Sequence, residues 1–227
     1  MQTILPAYRH IVNPRLKHTY LSIDDDGTLL IRSPRVSQQY IESLLIRKSD
    51  WITEQTKRHQ AKKGYLYPLT PKKEIYYFGE PYKLRFIPAS KRYASFECDI
   101  KEKKFYFRHN EFNPDICKKR LFSFYKEETK RMLSPLIEYW SRQMGLYPES
   151  IRFRKAKRQW GSCSASNRLS FNTMLAKVPI EASTYVVVHE LAHIKHKHHK
   201  KAFWELVERY LPDYKERQRI LREYTPL

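Results

Sequence analysis

The segment "YVVVHELAHI", residues 185–194, is apolar around most of a helical circumference, yet it carries two histidines and a glutamate. A helix that is hydrophobic on every side belongs in an interior. Polar groups buried there are costly unless something satisfies them. The fold must therefore enclose this helix, and it must supply partners for His189, Glu190 and His193. One partner serves all three. Residues at i and i+4 share a helix face, so both imidazoles can reach one cation about 2.0–2.1 Å from each nitrogen. Glu190, next in sequence to the first histidine, can hold and deprotonate a water at that cation without being a ligand. A structural helix with hydrogen-bonded histidines is the plainer alternative. HExxH by itself is short enough to occur by chance.

A third ligand has several candidates, because five of the nine histidines fall within residues 186–204. His196 stays near the same face on an unbroken helix. However, positions 189 and 196 are then roughly 10 Å apart along the axis at about 1.5 Å per residue, too far for three rings to converge. A ligand from chain that has turned back fits better. His199 follows His193 by six residues, the spacing of the third histidine in HExxHxxGxxH. The glycine of that pattern is His196 here, and histidine is among the few non-glycine residues that can turn the chain at positive φ. No methionine follows residue 174, so the Met-turn that accompanies that pattern is absent. His198 rivals His199, although the lysines around it suggest an exposed link.

The remaining chain alternates strand-like and helical stretches. "HTYLSIDDDGTLLIRSP" predicts a hairpin, with strands at 20–23 and 29–31. Helical spacing of Ile41, Leu44, Leu45, Trp51 and Ile52 follows, with Ser37 as N-cap. "KKGYLYPLTPKK" predicts a loop, and residues 74–109 predict four short strands in an antiparallel sheet. Asn113 and Pro114 open a long helix that Gly145 ends and Pro135 kinks or splits. "SIRFRKA" and "RLSFNTML" predict strands joined by a turn-rich "WGSCSASN". The expected class is α+β: a β-rich region with one helix over residues 1–115, then a helical metal-binding half with a small sheet over residues 116–227.

Charge adds a second constraint. The formal net charge is +20, from 21 basic and 13 acidic residues in 1–115 and 23 and 11 in 116–227. Both halves are basic, so the excess is not a tail. It suits phosphate-rich or acidic partners, and equally a solvated basic surface with no specific partner. No apolar run approaches the roughly 18 residues of a membrane span. Three widely spaced cysteines, with no CxxC pair, argue against a disulfide framework or a zinc ribbon and suit a reducing compartment. A cytoplasmic protein is expected.

The stretches "WGSCS" at 160–164, "LSFN" at 169–172, "YVVVHELAHIKH" at 185–196 and "HHKKAFW" at 198–204 stand in an order and spacing that resemble the YgjP-like zinc metallohydrolases, distant relatives of the SprT and WLM zincins. The front half adds "SDWI" at 49–52 and "YYFGEPYKLRF" at 76–86, so the resemblance covers most of the chain. It implies a zincin-type fold, one zinc ion held by His189, His193 and His199, and Glu190 as catalytic base. Two positions depart from the family pattern. His198 replaces an asparagine, and Gln159 stands where a basic residue is common, one step from Arg158. The family's assignment as peptidases leaves the substrate of this chain open.

Around this expected centre, Trp160, Phe203 and Trp204 are read as packing. Cys163 is read as a small buried thiol in a tight turn. Leu169 to Thr173 is expected to be an edge strand that pairs with extended substrate, with Asn172 presenting its amide to the bound chain. Arg158, Tyr185 and His196 are candidates to stabilise an oxyanion. The leading expectation is a zinc metallopeptidase acting on a peptide or protein. Rivals are a hydrolase of a nucleotide phosphoanhydride, suggested by lysines and histidines beside a metal, and a nucleic-acid-associated protease of SprT type.

Overall fold

The computed structural model describes residues 6–24, 27–61, 63, 69–70, 73–90 and 94–226. The chain divides into two compact units, Met1–Pro68 and Leu69–Leu227. The division expected near residue 115 falls inside the second unit, between its first sheet and its long helix.

Unit 1 contains β1 (Tyr8–Val12), β2 (Tyr20–Ile23), β3 (Leu29–Ser33), α1 (Gln38–Arg47) and α2 (Ser49–Ala61). β2 and β3 form the expected antiparallel hairpin. Asp25 and Asp26 of its turn lie outside the described residues. β1 pairs parallel with β3, giving the order β1-β3-β2. That first strand was not foreseen, because "YRHIV" is half-exposed and lacks an apolar alternation. Ser37 caps α1 by accepting from the Tyr40 N–H. The single helix expected here breaks at Lys48, where φ is −106° and ψ 12°. Leu29, Ile31, Ile41, Leu45 and Ile52 form the core of this unit, whereas Trp51 is exposed. The loop expected at 62–73 lies mostly outside the described residues.

Unit 2 begins with β4 (Glu74–Tyr77), β5 (Glu80–Pro88), β6 (Ser95–Asp99) and β7 (Lys104–His109). The expected antiparallel sheet is corrected to a mixed one. Its order is β4-β5-β7-β6, and β5 runs parallel to β7. Alternation in sequence fixes which face of a strand is buried, not which neighbour it takes. α3 (Pro114–Met144) starts at Asn113, whose side chain accepts from the Asp115 and Ile116 N–H groups, and ends at Gly145 with φ 64°. It is not split at Pro135. Pro135 lies on the exposed side, where water can replace the missing donor.

A small sheet follows, built from β8 (Ser150–Arg154), β9 (Gly161–Cys163) and β10 (Arg168–Asn172) in the order β8-β10-β9. β10 is parallel to β8 and antiparallel to β9. The sequence read 161–163 as turn, but it is the outer strand. A 3-10 turn at Leu175–Lys177 leads through Pro179 into α4 (Ile180–Lys195), then α5 (Lys201–Tyr210) and α6 (Tyr214–Arg222). The described chain is α+β, β-rich before α3 and mainly helical with a small sheet after it.

α4 is the axis of the second core. Tyr185, Val186, Val187, Val188, Leu191 and Ala192 are buried against α3, α5, α6 and the small sheet. Full burial of each Val or Leu contributes about 1.5–3 kcal/mol over exposure. Thr129 on α3 fixes the approach to α4. Its hydroxyl donates to the Thr173 carbonyl and accepts from the Ala176 N–H.

Candidate metal centre

α4 places His189 and His193 on one face, and the chain turns back after it to bring in His199. The Nε2 atoms of His189 and His199 are 3.0 Å apart, and those of His193 and His199 3.1 Å. The turn is made without positive φ. His196 ends the helix at φ −124° and ψ 102°, an extended conformation open to any residue. The positive φ that histidine could adopt there is not used: the reversal is spread over 196–200.

Hydrogen bonding at the other ring nitrogens decides what the Nε2 atoms can do. His193 Nδ1 lies 2.9 Å from the His196 carbonyl oxygen. A carbonyl only accepts, so Nδ1 carries the proton and Nε2 is a bare lone pair. Burial and, after it, the two neighbouring imidazoles hold His189 down to about 3, so it is neutral near pH 7. Its Nδ1 lies 3.3 Å from the Tyr185 hydroxyl, which also accepts from Gln218 Nε2 at 3.0 Å. Three imidazole nitrogens turned on one point make a donor set that a cation between them satisfies. Tetrahedral coordination at about 2.0–2.1 Å separates ligand nitrogens by about 3.3–3.4 Å. The observed spacing is close to that, so the residues present fit a metal ion.

Glu190 follows His189 on α4. It is 5 % exposed, and its Oε2 has no hydrogen-bond partner among the described residues. Burial pushes its carboxyl up to about 8. Gly161 on β9 lies hard against it: a Cβ there would stand 2.6 Å from Glu190 Cγ and 2.6 Å from Oε1. Below the histidines, the buried Phe203 ring sits 4.5–5.0 Å from all three imidazoles. Trp204 stacks on His199 at 5.5 Å and on Tyr214 at 5.4 Å. These aromatic rings fix the ligands' tilt, in keeping with the packing role read from sequence.

The other expected residues are placed as follows. His198 is exposed and outside the three-histidine group. Tyr185 lies behind His189, on its Nδ1 side, and is buried. Arg158 is exposed. Asn172 does not face a cleft. It is 1 % exposed, and its Nδ2 donates to the Ala156, Gln159 and Pro226 carbonyls while its Oδ1 accepts from Met174 N–H. The expectation of an edge strand at Leu169–Thr173 is corrected, because β10 is the central strand and β9 the outer one beside α4. Cys163 is half-buried on β9, its thiol pushed up by burial and partly drawn back by Lys197.

Three residues were missed from sequence. Lys197 looked like a solvated lysine, but its Nζ donates to Asn167 Oδ1 at 2.6 Å and to the Ser164 carbonyl at 3.0 Å, tying the β9–β10 turn to the ligand-bearing turn. Gln218 comes from α6, far along the chain, and no local pattern marks it. Gly161 stood in a stretch read as turn, where glycine is ordinary and signals no close approach.

The family model described as YgjP-like, metallopeptidase domain, matches residues 17–224. Among solved structures, the crystal structure of the metallopeptidase zymogen of Pyrococcus abyssi abylysin is 26 % identical over 39 % of this chain and 91 % of that one, with a TM-score of 0.36. No protein of curated function matches. Among the described residues, no helix is long and apolar enough to cross a membrane.

Proposed function

Because this chain belongs to the YgjP-like family of metallopeptidase domains, we propose that it hydrolyses peptide bonds with one zinc ion held by the Nε2 atoms of His189, His193 and His199. The observation that carries this reading is the convergence of three imidazole Nε2 atoms, together with a buried carboxylate oxygen of the adjoining Glu190 that has no partner among the described residues. Bound there, zinc supplies a Lewis acid for the peptide carbonyl and makes water acidic enough to attack it.

The chain's own residues do the rest. Glu190 takes the proton of the attacking water as the new C–O bond forms, then delivers it to the amine nitrogen, so that the C–N bond breaks as the amine departs and the carbonyl is restored. Its apolar surroundings favour the protonated carboxyl, which makes the ionised form a strong proton acceptor. The His196 carbonyl and the Tyr185–Gln218 pair hold the ligand rings in orientation. Gly161 leaves room for the Glu190 carboxylate. An extended substrate lies along β9, the outer strand, rather than β10. Oxyanion support comes from the exposed Arg158 or the His196 ring, because Tyr185 is behind His189. The catalytic half is 116–227, which holds every residue in this account. The three cysteines are free, which suits a reducing compartment and supports the cytoplasmic reading.

Elemental analysis of the purified protein should give one zinc per chain. Glu190→Gln should keep the zinc and lose about 10²–10⁴-fold in peptide turnover. No zinc uptake on reconstitution, or release of phosphate from nucleotides in place of peptide cleavage, would overturn the proposal.

A further inference from the structure

Unit 1 has a pocket of its own, remote in sequence from the histidines. Its volume is about 300 Å³, at the small end of the ~300–1,000 Å³ range of ligand sites. Thr19, Tyr20 and Leu21 from the start of β2 form one wall, and Leu44, Lys48 and Trp51 from the α1–α2 corner form the other. Leu44 is buried, whereas Tyr20 and Trp51 are 51 % and 39 % exposed. Large aromatics left in water beside a cavity are a recognised mark of a binding surface.

The strand in this wall is unpaired on its outer side. β2 is an end strand of β1-β3-β2. The Asp24 N–H donates to the Thr28 carbonyl, which makes 24 and 28 a hydrogen-bonded pair across the hairpin. Bonded and non-bonded pairs alternate, so Ser22 and Tyr20 turn their peptide groups toward β3. Leu21 and Ile23 therefore aim N–H and C=O outward, and neither has a backbone partner there among the described residues. An open edge with its own side-chain pocket is the arrangement that takes up an added strand.

Charge selects the kind of strand. Lys48 lines the pocket, and its ammonium has no acidic partner among the described residues. Residues 1–68 carry 11 Lys and Arg against 6 Asp and Glu, so the surrounding field is positive. A nucleobase could stack on the rings and set its phosphate on the lysine. It would leave the outward peptide groups of β2 unused, whereas a second peptide backbone matches them.

We propose that unit 1 binds an extended acidic peptide segment along the open edge of β2, with an apolar side chain between Leu21, Leu44 and Trp51 and a carboxylate two residues along, on the same face of the peptide, at Lys48. This site is independent of the metal centre and does not require the hydrolytic reading to be correct.

The test uses the full chain, with labelled heptapeptides blocked at both ends. A central apolar residue is flanked two positions away on each side by Glu, Gln or Lys, and the intervening positions are Ser. The Glu peptide should saturate the protein and bind at least tenfold more tightly than the Gln or Lys peptide. Lys48→Glu should abolish that preference and weaken binding at least tenfold, as should Trp51→Ala. Backbone N-methylation at alternate peptide positions should weaken binding, and at the intervening positions should not. That series needs no variant, so it decides the matter even if Trp51→Ala fails to fold. Both variants should retain the metal content of the parent protein. Absence of saturable binding, equal binding by the Lys peptide, indifference to Lys48→Glu, or tighter binding of a labelled oligothymidylate would each overturn the proposal.

Discussion

Replacing Gly161 by alanine tests the geometry of the catalytic flank most directly. The added methyl carbon would meet Glu190 Cγ and Oε1 at 2.6 Å and Cδ at 2.8 Å. Carbon atoms rest at about 3.5–4.0 Å, so the glutamate side chain must retreat by about 1 Å. Cγ is near the root of that side chain, which leaves it little freedom to swing aside. A misplacement of about 1 Å in a reacting group costs on the order of 10²-fold in rate. Overpacking a buried contact costs about 1–3 kcal/mol in stability. Gly161→Ala should therefore lower kcat for peptide hydrolysis about 10²-fold, while bound zinc stays at one per chain, because the histidines are untouched. The decisive measurement is a double-mutant cycle. If Gly161 acts through Glu190, then Gly161→Ala should add little to the loss already caused by Glu190→Gln. Full activity and unchanged melting in Gly161→Ala would refute the reasoning, and so would additive losses in the double variant.

Glu190 also gives a pH prediction for chelator-treated protein. A folded-state carboxyl raised to about 8 contributes stability that is fully present below its unfolded value near 4.5 and is lost as pH rises through 8. At about 1.4 kcal/mol per unit this is a loss of roughly 3–5 kcal/mol. Urea unfolding of metal-free Glu190→Gln should lack that decline, and parallel slopes for both proteins would contradict it. Zinc at about 100 times its Kd should stabilise by about 2.7 kcal/mol, worth about 5–11 °C in Tm at about 2–4 °C per kcal/mol. His199→Ala should abolish that shift and His198→Ala should leave it intact, as scanning calorimetry with and without chelator would show. Lys197→Met should release the β9–β10 turn, seen as faster amide hydrogen exchange over 161–167, with zinc retained and activity reduced several-fold. Unchanged exchange there would mean the lysine's contacts do not hold the turn.

What could be read from the sequence depended on how local the determining interactions are. Ser37, Asn113 and Gly145 act on backbone groups within a few residues of themselves, and each caps its helix as expected. The burial of α4 follows from its own composition. His189 and His193 need only helical spacing. His199 needed a judgement about chain reversal, and its convergence with the other two rests on backbone that no periodicity describes. Pairing of strands was the least legible part. β9 has three residues, too few to show alternation, and it took the edge assigned to β10. Asn172 was read as a ligand-facing amide because its partners, 13 to 54 residues away, are main-chain carbonyls that carry no side-chain signature.

The bond from His193 Nδ1 to the His196 carbonyl has a consequence for engineering. The proton of that imidazole is positioned by main chain, in a conformation that any amino acid can adopt. The identity of residue 196 is thereby uncoupled from metal affinity, although it sits three positions from two ligands. That leaves a half-exposed side chain at the rim of the centre that can be exchanged without disturbing the His193 ring beneath it. A fluorophore, a new charge or a bulky blocking group introduced there would report on or reshape the entrance while the coordination chemistry beneath it stays the same.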